Sequence, residues 1–379
     1  MTEKSVTRLA IAFLMVLASV ILTLSALELA ARVWVHFRWS DSEISLLTED
    51  FDARFGFVSD RETGYQLEPD RYKKDAEGRE FSHNSLGFRG SEFTIEKPLG
   101  EFRIVLMGAS TVYGIYVGDN ETSSARLEQS LSKVQSSPGK RIRVINAGVP
   151  GWTTRETLTN LQRSILGLNP DLILVMDGRN DIFPELFNNY ARDYSHYRDL
   201  SFDFRTVNEG YRRLFRQSRL AMVLIAGSSS GDGKLGYSRR AEHPAYGYNR
   251  WRNRPSVDEI VQRVTAETIV SGFRDNLESM VRISADAGIS LILASIPFDA
   301  ERYGSGVIPA NPRIRDGLDT LVKRNNAITH EIAGRNNLPF VDAASLSSPE
   351  YLVDDCHFNL LGEAKVADIM SHAVLPLIN

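Results

Sequence analysis

Five short apolar runs recur between residues 102 and 343, and they constrain the fold of this 379-residue chain more than any other feature. Near-continuous runs of valine, isoleucine and leucine are typical of parallel strands that are buried on both faces of a sheet, whereas half-exposed strands alternate apolar and polar residues. The pattern therefore predicts a parallel five-stranded sheet. The runs are Phe102–Gly108, Ile142–Gly148, Asp171–Gly178, Ile289–Pro297 and Leu338–Ala343.

Segments with helical spacing lie between these runs. Strands that alternate with helices predict a three-layer α/β/α fold, in which helices cover both faces of the sheet. Ligands bind such sheets at the carboxyl ends of the strands, so the polar residues that follow the runs are the candidates for chemistry. The predicted helices cover Ser123–Val134, Thr154–Leu166, Val257–Ala287 and Arg313–Asn336.

An uncharged run, LAIAFLMVLASVILTLSAL, separates Arg8 from Glu28. A membrane-spanning helix needs about 20 largely apolar residues, and this run reaches that length when Glu28 lies at the interface. Lys4 and Arg8 precede the run, so the positive-inside rule leaves the N-terminus in the cytoplasm. We expect residues 1–37 to form a transmembrane anchor and the rest of the chain to be periplasmic or extracellular.

Two other interpretations of the N-terminal run stay open. A cleaved signal peptide has a shorter apolar stretch, of about 7–15 residues, and a small-residue cleavage site. Ala26, Ala30 and Ala31 leave that option open, although they form no clear A-x-A site. A buried helix of a soluble protein is less well supported, because the run is apolar on every face and adjoins the N-terminus.

Two further segments have compositions of their own. Residues 38–100 are polar and rich in glycine and aromatic residues, which predicts a stalk followed by a small irregular or β-rich extension. Residues 182–256 form an insertion that is longer than an ordinary connection. Either the insertion is a lid whose basic face meets anionic polymer or lipid head groups, or it is a structural helical segment with a solvated basic face. The basic face would contain Arg212, Arg213 and Arg216.

Charge and ligand content exclude several classes of protein. The formal net charge is −4, which lacks the basic surplus of a nucleic-acid-binding protein. Cys356 is the single cysteine, so the chain can form neither an internal disulfide nor a multi-cysteine metal site. No metal or other cofactor is expected, because the histidines outside the last motif form no H-x-H or H-E-x-x-H pattern. Those histidines are His36, His83, His196, His243, His330 and His372.

Polar groups follow the first three apolar runs, at the expected carboxyl edge of the sheet. Ser110 follows the first run and could serve as a nucleophile. The backbone N–H of Gly151 and the side-chain amide of Asn180 follow the second and third runs and could face a developing oxyanion. Each also has an ordinary structural interpretation, namely a helix-capping serine, a strand-to-helix turn and an Asn-Asp turn.

The last motif, DDCHFNLLG from Asp354 to Gly362, combines a carboxylate with an imidazole. A separation of three residues on a loop lets Asp354 accept the Nδ1–H of His357, which leaves Nε2 free to take a hydroxyl proton. The same motif also fits an ordinary structural interpretation, in which the aspartate begins a helix and the histidine is exposed. Adjacent residues of an extended loop point apart, so Cys356 is expected to be a bystander.

Together, these blocks resemble the SGNH hydrolases, the GDSL-type esterase superfamily, whose name lists the Ser, Gly, Asn and His of four sequence blocks. The resemblance covers about Phe102 to the C-terminus. The segment His83–Gly90 also resembles one found upstream of the first block in membrane-tethered bacterial members. The family pattern has Asp before the nucleophile, where this chain has Ala109. The matching residues are Ser110, Gly151, Asn180 in a G-x-N-D block, and Asp354 and His357 in a D-x-x-H block.

The resemblance implies a flavodoxin-like α/β/α domain over residues 101–379, with no metal. It implies that Ser110 is the nucleophile, that His357 is the base, and that Asp354 orients the base. It also implies an oxyanion hole built from the Ser110 backbone N–H, the Gly151 N–H and the Asn180 side chain.

Three functions fit these residues. The first is a serine esterase or deacylase that removes short acyl groups, with O-acetyl expected, from an acylated glycan or lipid. The second is an O-acyltransferase that passes the acyl group to a sugar hydroxyl of a cell-surface polysaccharide through the same acyl-serine. The third is a non-catalytic scaffold on a decayed hydrolase fold, which the complete set of site residues disfavours.

Overall fold

The computed structural model describes residues 3–38, 56–75, 78–134, 141–187, 189–197, 214–215, 217–228, 256–264, 272–303 and 312–378. The chain divides into two compact units. The smaller unit comprises Met1–Arg54 and Asp203–Pro244, and the larger unit comprises Phe55–Phe202 and Ala245–Asn379.

Strands occur in the larger unit and helices in both. Strands β1 to β9 are Phe57–Asp60, Gly64–Leu67, Arg71–Lys74, Glu80–His83, Glu101–Gly108, Arg141–Gly148, Leu172–Met176, Ser290–Ala294 and Phe340–Val341. Helices α1 to α10 are Glu3–Arg38, Ser110–Tyr113, Ser123–Val134, Thr154–Asn160, Ile182–Glu185, Arg219–Ser228, Val257–Val264, Gly272–Asp286, Pro312–Arg335 and Leu360–Ile378. Helix α4 continues into a π turn, Leu161–Ile165, and a 3₁₀ turn, Leu166–Leu168.

The five later strands form the predicted parallel sheet, in the order β6-β5-β7-β8-β9. Parallel pairing brings the ends of the three neighbouring strands β6, β5 and β7 side by side, since Gly108 at the end of β5 pairs with Gly148 of β6 and with Met176 of β7. The earlier strands pair as two antiparallel hairpins, β1 with β2 and β3 with β4.

Successive residues of each central strand contribute to opposite faces of the sheet, so the sheet carries two apolar cores. Ile104 and Leu106 pack in one core with α3 and α10, whereas Val105 and Met107 pack in the other with α4, α8 and α9. Helices on both faces of a parallel sheet confirm the predicted three-layer α/β/α fold. The runs lacked alternation because both faces of these strands are buried.

Gly148, at the end of β6, allows α2 to lie against the sheet edge. A Cβ atom there would be 2.4 Å from the backbone nitrogen of Tyr113 and 2.8 Å from the carbonyl carbon of Val112. Both contacts are with backbone and far shorter than real Cβ contacts. A larger residue at this position would therefore push α2 away from the strand.

A buried arginine fastens the segment before the sheet to the sheet itself. The side chain of Arg103 in β5 is fully buried and lies 2.7 Å from the carboxylate of Glu101. Its guanidinium also donates to the carbonyls of Thr94 at 2.9 Å, Ile95 at 2.9 Å and Leu168 at 2.8 Å. These bonds satisfy a charge that would otherwise be costly to bury.

The smaller unit contains the apolar N-terminal helix α1. The most apolar 18-residue stretch of its section Ile11–Phe37 has a mean hydropathy of 2.3, and none of the residues in that stretch is buried. Such a helix near an N-terminus is compatible with a membrane anchor or with a signal sequence. Helix α6 begins against α1, because the Glu28 carboxylate accepts hydrogen bonds from the Ser218 hydroxyl at 2.7 Å and the Arg219 N–H at 2.9 Å.

Most of the insertion at 182–256 lies outside the described residues. This includes Arg212, Arg213 and Arg216, which were predicted to form its basic face. The lid and the structural interpretations of the insertion both stay predictions, as do the boundaries of the three predicted segments of the chain.

Arg103→Met should lower the free energy of unfolding by about 3–5 kcal/mol, because it leaves the buried Glu101 carboxylate without its partner. Urea unfolding of the purified chain would measure this. Arg335→Met is the matched control, since its ion pair with Glu278 is exposed and should contribute about 0–1 kcal/mol. Equal losses in the two variants would contradict the importance given to the buried pair.

Candidate active site

The five residues singled out in the sequence lie on loops at the carboxyl edge of the sheet or before α10. Ser110 begins α2 directly after β5, while Gly151 and Asn180 lie on the loops that follow β6 and β7. Asp354 and His357 lie on the loop that precedes α10. Because β6, β5 and β7 are neighbours, the first three loops are adjacent.

A continuous chain of hydrogen bonds joins Ser110, His357 and Asp354. The Ser110 Oγ atom lies 2.7 Å from Nε2 of His357, and Nδ1 lies 2.7 Å from Oδ2 of Asp354. Since a carboxylate only accepts hydrogen bonds, Nδ1–H donates to Asp354. In the neutral imidazole this leaves Nε2 to accept the Ser110 hydroxyl proton. This is the tautomer that activation of a serine by a histidine requires.

The Asp354 carboxylate is surrounded by donors. Besides the imidazole, the backbone N–H groups of Cys356 and His357 donate to it at 3.1 and 2.9 Å, and the Tyr116 hydroxyl donates at 3.1 Å. Burial raises the pKa of Asp354, but these hydrogen bonds, with that from the imidazole foremost, outweigh it and hold the pKa well below its usual range. Asp354 is therefore ionised at neutral pH.

The pKa of His357, the candidate base, is raised above its usual value. Burial lowers the pKa of the His357 imidazole, whereas the neighbouring Cys356 sulfur and the Asp354 carboxylate raise it, and the net shift is upward. Burial also raises the pKa of the Cys356 thiol, so this group is neutral at neutral pH. Asp354 is thus the charge that keeps the imidazole pKa high.

Cys356 does not point away from the histidine, contrary to the expectation for adjacent loop residues. Its Sγ atom lies 3.7 Å from Nδ1 of His357 and is buried. The loop bends here instead of running extended, because the Asp354 carboxylate accepts from the backbone N–H groups of Cys356 and His357, two and three residues further on, as in an Asx turn.

The motif that follows His357 explains why the loop has a fixed shape. The Asn359 side chain accepts hydrogen bonds from the N–H groups of Leu361 and Gly362, each at 2.9 Å, and so caps the start of α10. On the other side, the Val353 N–H donates to the His357 carbonyl at 2.9 Å. The histidine is held between a helix cap and a backbone bridge.

Backbone hydrogen bonds hold the nucleophile turn, where Ala109 replaces the acidic residue of the family pattern. Ala109 occupies the N-cap position of α2, and its side chain makes no capping hydrogen bond. Its carbonyl accepts from the Tyr113 N–H at 3.0 Å, and the Ser110 carbonyl accepts from the Gly114 N–H at 3.1 Å. The Thr111 hydroxyl donates to the Cys356 carbonyl at 3.4 Å and joins this turn to the histidine loop.

The side chain of Asn180 joins the second and third loops. Its Nδ2 donates to the carbonyl of Trp152 at 2.7 Å. The amide nitrogen carries two hydrogens, so only the second could meet an oxyanion. Gly151, next to Trp152, is buried and has a φ of 83°, which is the left-handed region that favours glycine.

Buried carboxylates form hydrogen bonds that hold the loops of Gly151 and Asn180 in place. Asp181 accepts from the Thr154 N–H at 3.1 Å and from the Thr154 hydroxyl, and so ties the third loop to the start of α4. Asp177 accepts from the Thr157 hydroxyl at 2.5 Å and from the Gly178 N–H at 2.8 Å. Burial raises the pKa of Asp177 to about 7 and that of Asp181 well above its usual value.

The β1–β2 hairpin, which the sequence did not connect with the site, contacts the loop that carries Gly151. The Tyr65 hydroxyl donates to the Pro150 carbonyl at 2.7 Å, and the Trp152 indole N–H donates to the Tyr65 carbonyl at 3.0 Å. Both side chains are buried. No motif marks Tyr65, because its partners are separated from it by about 85 positions in the sequence.

The segment His83–Gly90 packs behind the nucleophile turn. His83 Nδ1 lies 2.9 Å from the Glu68 carbonyl, and Nε2 lies 3.0 Å from the Tyr113 hydroxyl. Burial lowers the pKa of His83 to about 4, so the ring is neutral, donates to Glu68 and accepts from Tyr113. The guanidinium of Arg89 lies 4.3 Å above the Tyr113 ring.

One group of described residues has ligand atoms close enough to hold a metal ion. Atoms of Asp354, Cys356 and His357 all lie within 4.8 Å of one another. Both imidazole nitrogens are already hydrogen-bonded, to Asp354 and to Ser110, so an ion would displace a bond that aligns the serine. The arrangement fits proton transfer better than metal binding.

Residues 106–365 match the model of the GDSL-like lipase/acylhydrolase family. The match covers more than half of the chain, and the chain therefore belongs to this family. The resemblance to the GDSL-type superfamily that the four sequence blocks carried is confirmed. The protein is accordingly a hydrolase of ester bonds, and its substrate is an acyl ester.

Several solved structures are similar to this chain, and no curated protein matches it. A lipase/acylhydrolase from Enterococcus faecalis is 19% identical with a TM-score of 0.39, covering 72% of this chain and 94% of that chain. An acetyl xylan esterase from Geobacillus stearothermophilus is 18% identical with a TM-score of 0.38, covering 73% and 94%. A GDSL-like lipase from Bacteroides thetaiotaomicron is 18% identical with a TM-score of 0.37, covering 73% and 87%.

Asp354→Asn should lower kcat/KM on an activated acetate ester by about 10⁴-fold, because the amide no longer holds the required tautomer of His357. A histidine base acts in its neutral form, so kcat/KM rises as the pH rises through its pKa. Removing the carboxylate lowers that pKa, and the rise should move to lower pH. A pH profile of the residual activity measures both effects.

Asp368→Asn is the control for this experiment, because Asp368 is an exposed carboxylate that pairs with Lys365. Its profile should match that of the unsubstituted protein. A rise that stays at the same pH in Asp354→Asn would contradict the electrostatic role given to Asp354.

Proposed function

We propose that this protein is a serine esterase that removes short acyl groups, O-acetyl above all, from an acylated glycan or lipid at the cell surface. Ser110 is the nucleophile, His357 is the general base, and Asp354 orients the imidazole. The observation that carries the proposal is the unbroken hydrogen-bonded chain from Asp354 through His357 to the Ser110 hydroxyl.

The first half of the reaction forms an acyl-serine. The Ser110 Oγ atom attacks the ester carbonyl carbon while His357 Nε2 takes the hydroxyl proton. The carbonyl oxygen becomes an oxyanion in the tetrahedral intermediate, and Asp354 stabilises the imidazolium. The intermediate then collapses as its bond to the alcohol oxygen breaks, and His357 returns the proton to that oxygen.

The second half releases the acid. His357 Nε2 takes a proton from a water molecule, whose oxygen attacks the acyl carbon. The second tetrahedral intermediate breaks its bond to Oγ, and the proton on His357 goes to Ser110. The products are a carboxylic acid, an alcohol and the original enzyme.

The Ser110 N–H, the Gly151 N–H and the second Nδ2 hydrogen of Asn180 stabilise the oxyanion. Support for this role comes from the adjacency of the three loops and from the hydrogen bond that fixes the Asn180 amide against Trp152. Such donors are fixed before the reaction begins, and losing one typically lowers turnover by about 10²–10³-fold.

We further propose that the N-terminal helix is an anchor, so that the reaction occurs at a membrane surface. An exposed apolar section long enough to span a bilayer supports an anchor. Lys4 and Arg8 precede it, so the catalytic unit faces the periplasm or the cell exterior. The substrates within reach are acyl esters of cell-surface glycans or lipids.

A fluorophosphonate should label Ser110, because it reacts with an activated serine hydroxyl. We expect labelling of the unsubstituted chain, none of Ser110→Ala, and strongly slowed labelling of His357→Ala. Ser85→Ala, at an exposed serine outside the site, is the control and should label normally. Labelling that persists in Ser110→Ala would overturn the assignment of the nucleophile.

Activated esters whose acyl groups contain two to eight carbons test which acyl length is preferred and whether the acyl group is released or transferred. We expect acetate esters to be hydrolysed fastest, with free acetate as the product even when acetyl-accepting glycans are present. Acetylated glycan as the main product would instead identify an O-acyltransferase. A preference for the longest chains would contradict the short-acyl proposal without affecting the triad.

A further inference from the structure

Arg179, inside the G-x-N-D block on the loop after β7, contacts Asn180 on its own loop and Asp355 on the loop that carries His357. Its Nη2 donates to Oδ2 of Asp355 at 2.5 Å, and its Nη1 lies 3.4 Å from Oδ1 of Asn180. Asp355 stands between Asp354 and His357 in the sequence. The arginine and aspartate side chains are only 12% and 6% exposed, so solvent screens their attraction little.

The surroundings of Arg179 fix the direction of its guanidinium. The group lies 4.8 Å from the centre of the Phe183 ring and 5.8 Å from that of Tyr303. A planar cation packed against two aromatic rings has little freedom to turn, and its forked donors can reach two acceptors at once. A lysine ammonium would keep the charge but not this geometry.

Asp355 is held on its backbone as well as on its side chain. Its carbonyl accepts a hydrogen bond from the Asp299 N–H at 2.7 Å, on the segment that follows β8. Arg179 therefore binds a residue of the histidine loop whose backbone is itself held in place. The Asn180 amide is held at both ends, since Oδ1 faces Arg179 and Nδ2 donates to Trp152.

We propose that Arg179 is a positioning residue that sets the distance between the oxyanion donors and the base. The contacts run from Trp152 through Asn180 and Arg179 to Asp355, and so connect three loops across the site. This inference rests on the proposed serine esterase function, because only a reaction with an oxyanion and a base needs these loops held in register. Arg179 itself does not touch the reacting atoms.

Such a role has a measurable consequence for turnover. A displacement of about 1 Å in a reacting group lowers the rate about 10²-fold. Loss of the bridge should lower kcat and the rate of fluorophosphonate labelling by about 10–10²-fold and leave KM within a factor of a few. The affected donors meet the oxyanion only in the transition state.

The experiment compares Arg179→Gln, Arg179→Lys, Asp355→Asn and the double variant Arg179→Gln/Asp355→Asn in the full-length protein. Labelling rates and acetate-ester kinetics are measured for each, together with thermal unfolding. Arg179→Lys should recover only part of the loss. The double variant should lose about as much as either single variant, because both remove the same bridge.

Lys97→Gln is the control for a merely structural ion pair. Lys97 bonds to Asp171 at 2.9 Å, at the opposite end of the sheet, and both side chains are partly buried. This variant should lose stability without losing kcat or labelling rate. An Arg179→Gln protein that unfolds at a similar temperature to Lys97→Gln but turns over slowly supports the positioning role.

Two results would overturn the inference. A folded Arg179→Gln protein with the labelling rate and kcat of the unsubstituted chain would do so, as would losses in the two single variants that simply multiply in the double variant. If the unsubstituted chain itself is not labelled, the proposed function fails and this inference fails with it. The labelling of that chain therefore separates the two failures.

Discussion

Parallel pairing of β5 with β6 on one side and β7 on the other brings together the loops that carry the candidate site. Parallel strands all end at the same edge of a sheet, so the three loops that follow them must turn in the same small region. Ser110, Gly151 and Asn180 each lie on a different one of these loops. Their relative positions therefore depend on contacts between loops, not on proximity in the sequence.

Those contacts are made by buried polar groups. Asn180 bonds to Trp152, Asp181 bonds to Thr154, and the Thr111 hydroxyl reaches the histidine loop. Each buried group must be hydrogen-bonded to avoid a large desolvation cost, so the network tolerates few alternative arrangements. Burial raises the pKa of Asp177 and of Asp181, as expected for carboxylates that are removed from water.

Much of the fold could be predicted from the sequence because the central strands are buried on both faces. The predicted strand Ile142–Gly148 differs from the observed Arg141–Gly148 by one residue, and the helix Ser123–Val134 matches at both ends. The edge strand was predicted as Leu338–Ala343 but spans only Phe340–Val341. It pairs with β8 at Phe340 and Val341 alone, and an apolar run does not reveal how far the pairing extends.

The sequence singled out the residues of the hydrogen-bonded chain because they occur in short motifs. It did not single out Tyr116, Arg179 or Tyr65, because the importance of each depends on hydrogen bonds to residues far away in the sequence. Tyr116 bonds to Asp354 and Arg179 to Asp355. Contacts of this kind depend on how loops are folded together, which no local pattern of residues encodes. The bend that brings Cys356 against His357 was missed for the same reason.

The contact of the β1–β2 hairpin through Tyr65 shows that the residues matched by the family are not all the residues that hold the candidate site in place. The stretch that aligns with the family starts at residue 106, inside β5, and stops at residue 365, inside α10. Tyr65 and His83 lie upstream of that stretch, yet they fix the loop of Gly151 and the back of the nucleophile turn. The family match is thus shorter than the part of the chain whose contacts hold these loops. An active fragment would have to begin before β1, well upstream of the first aligned residue.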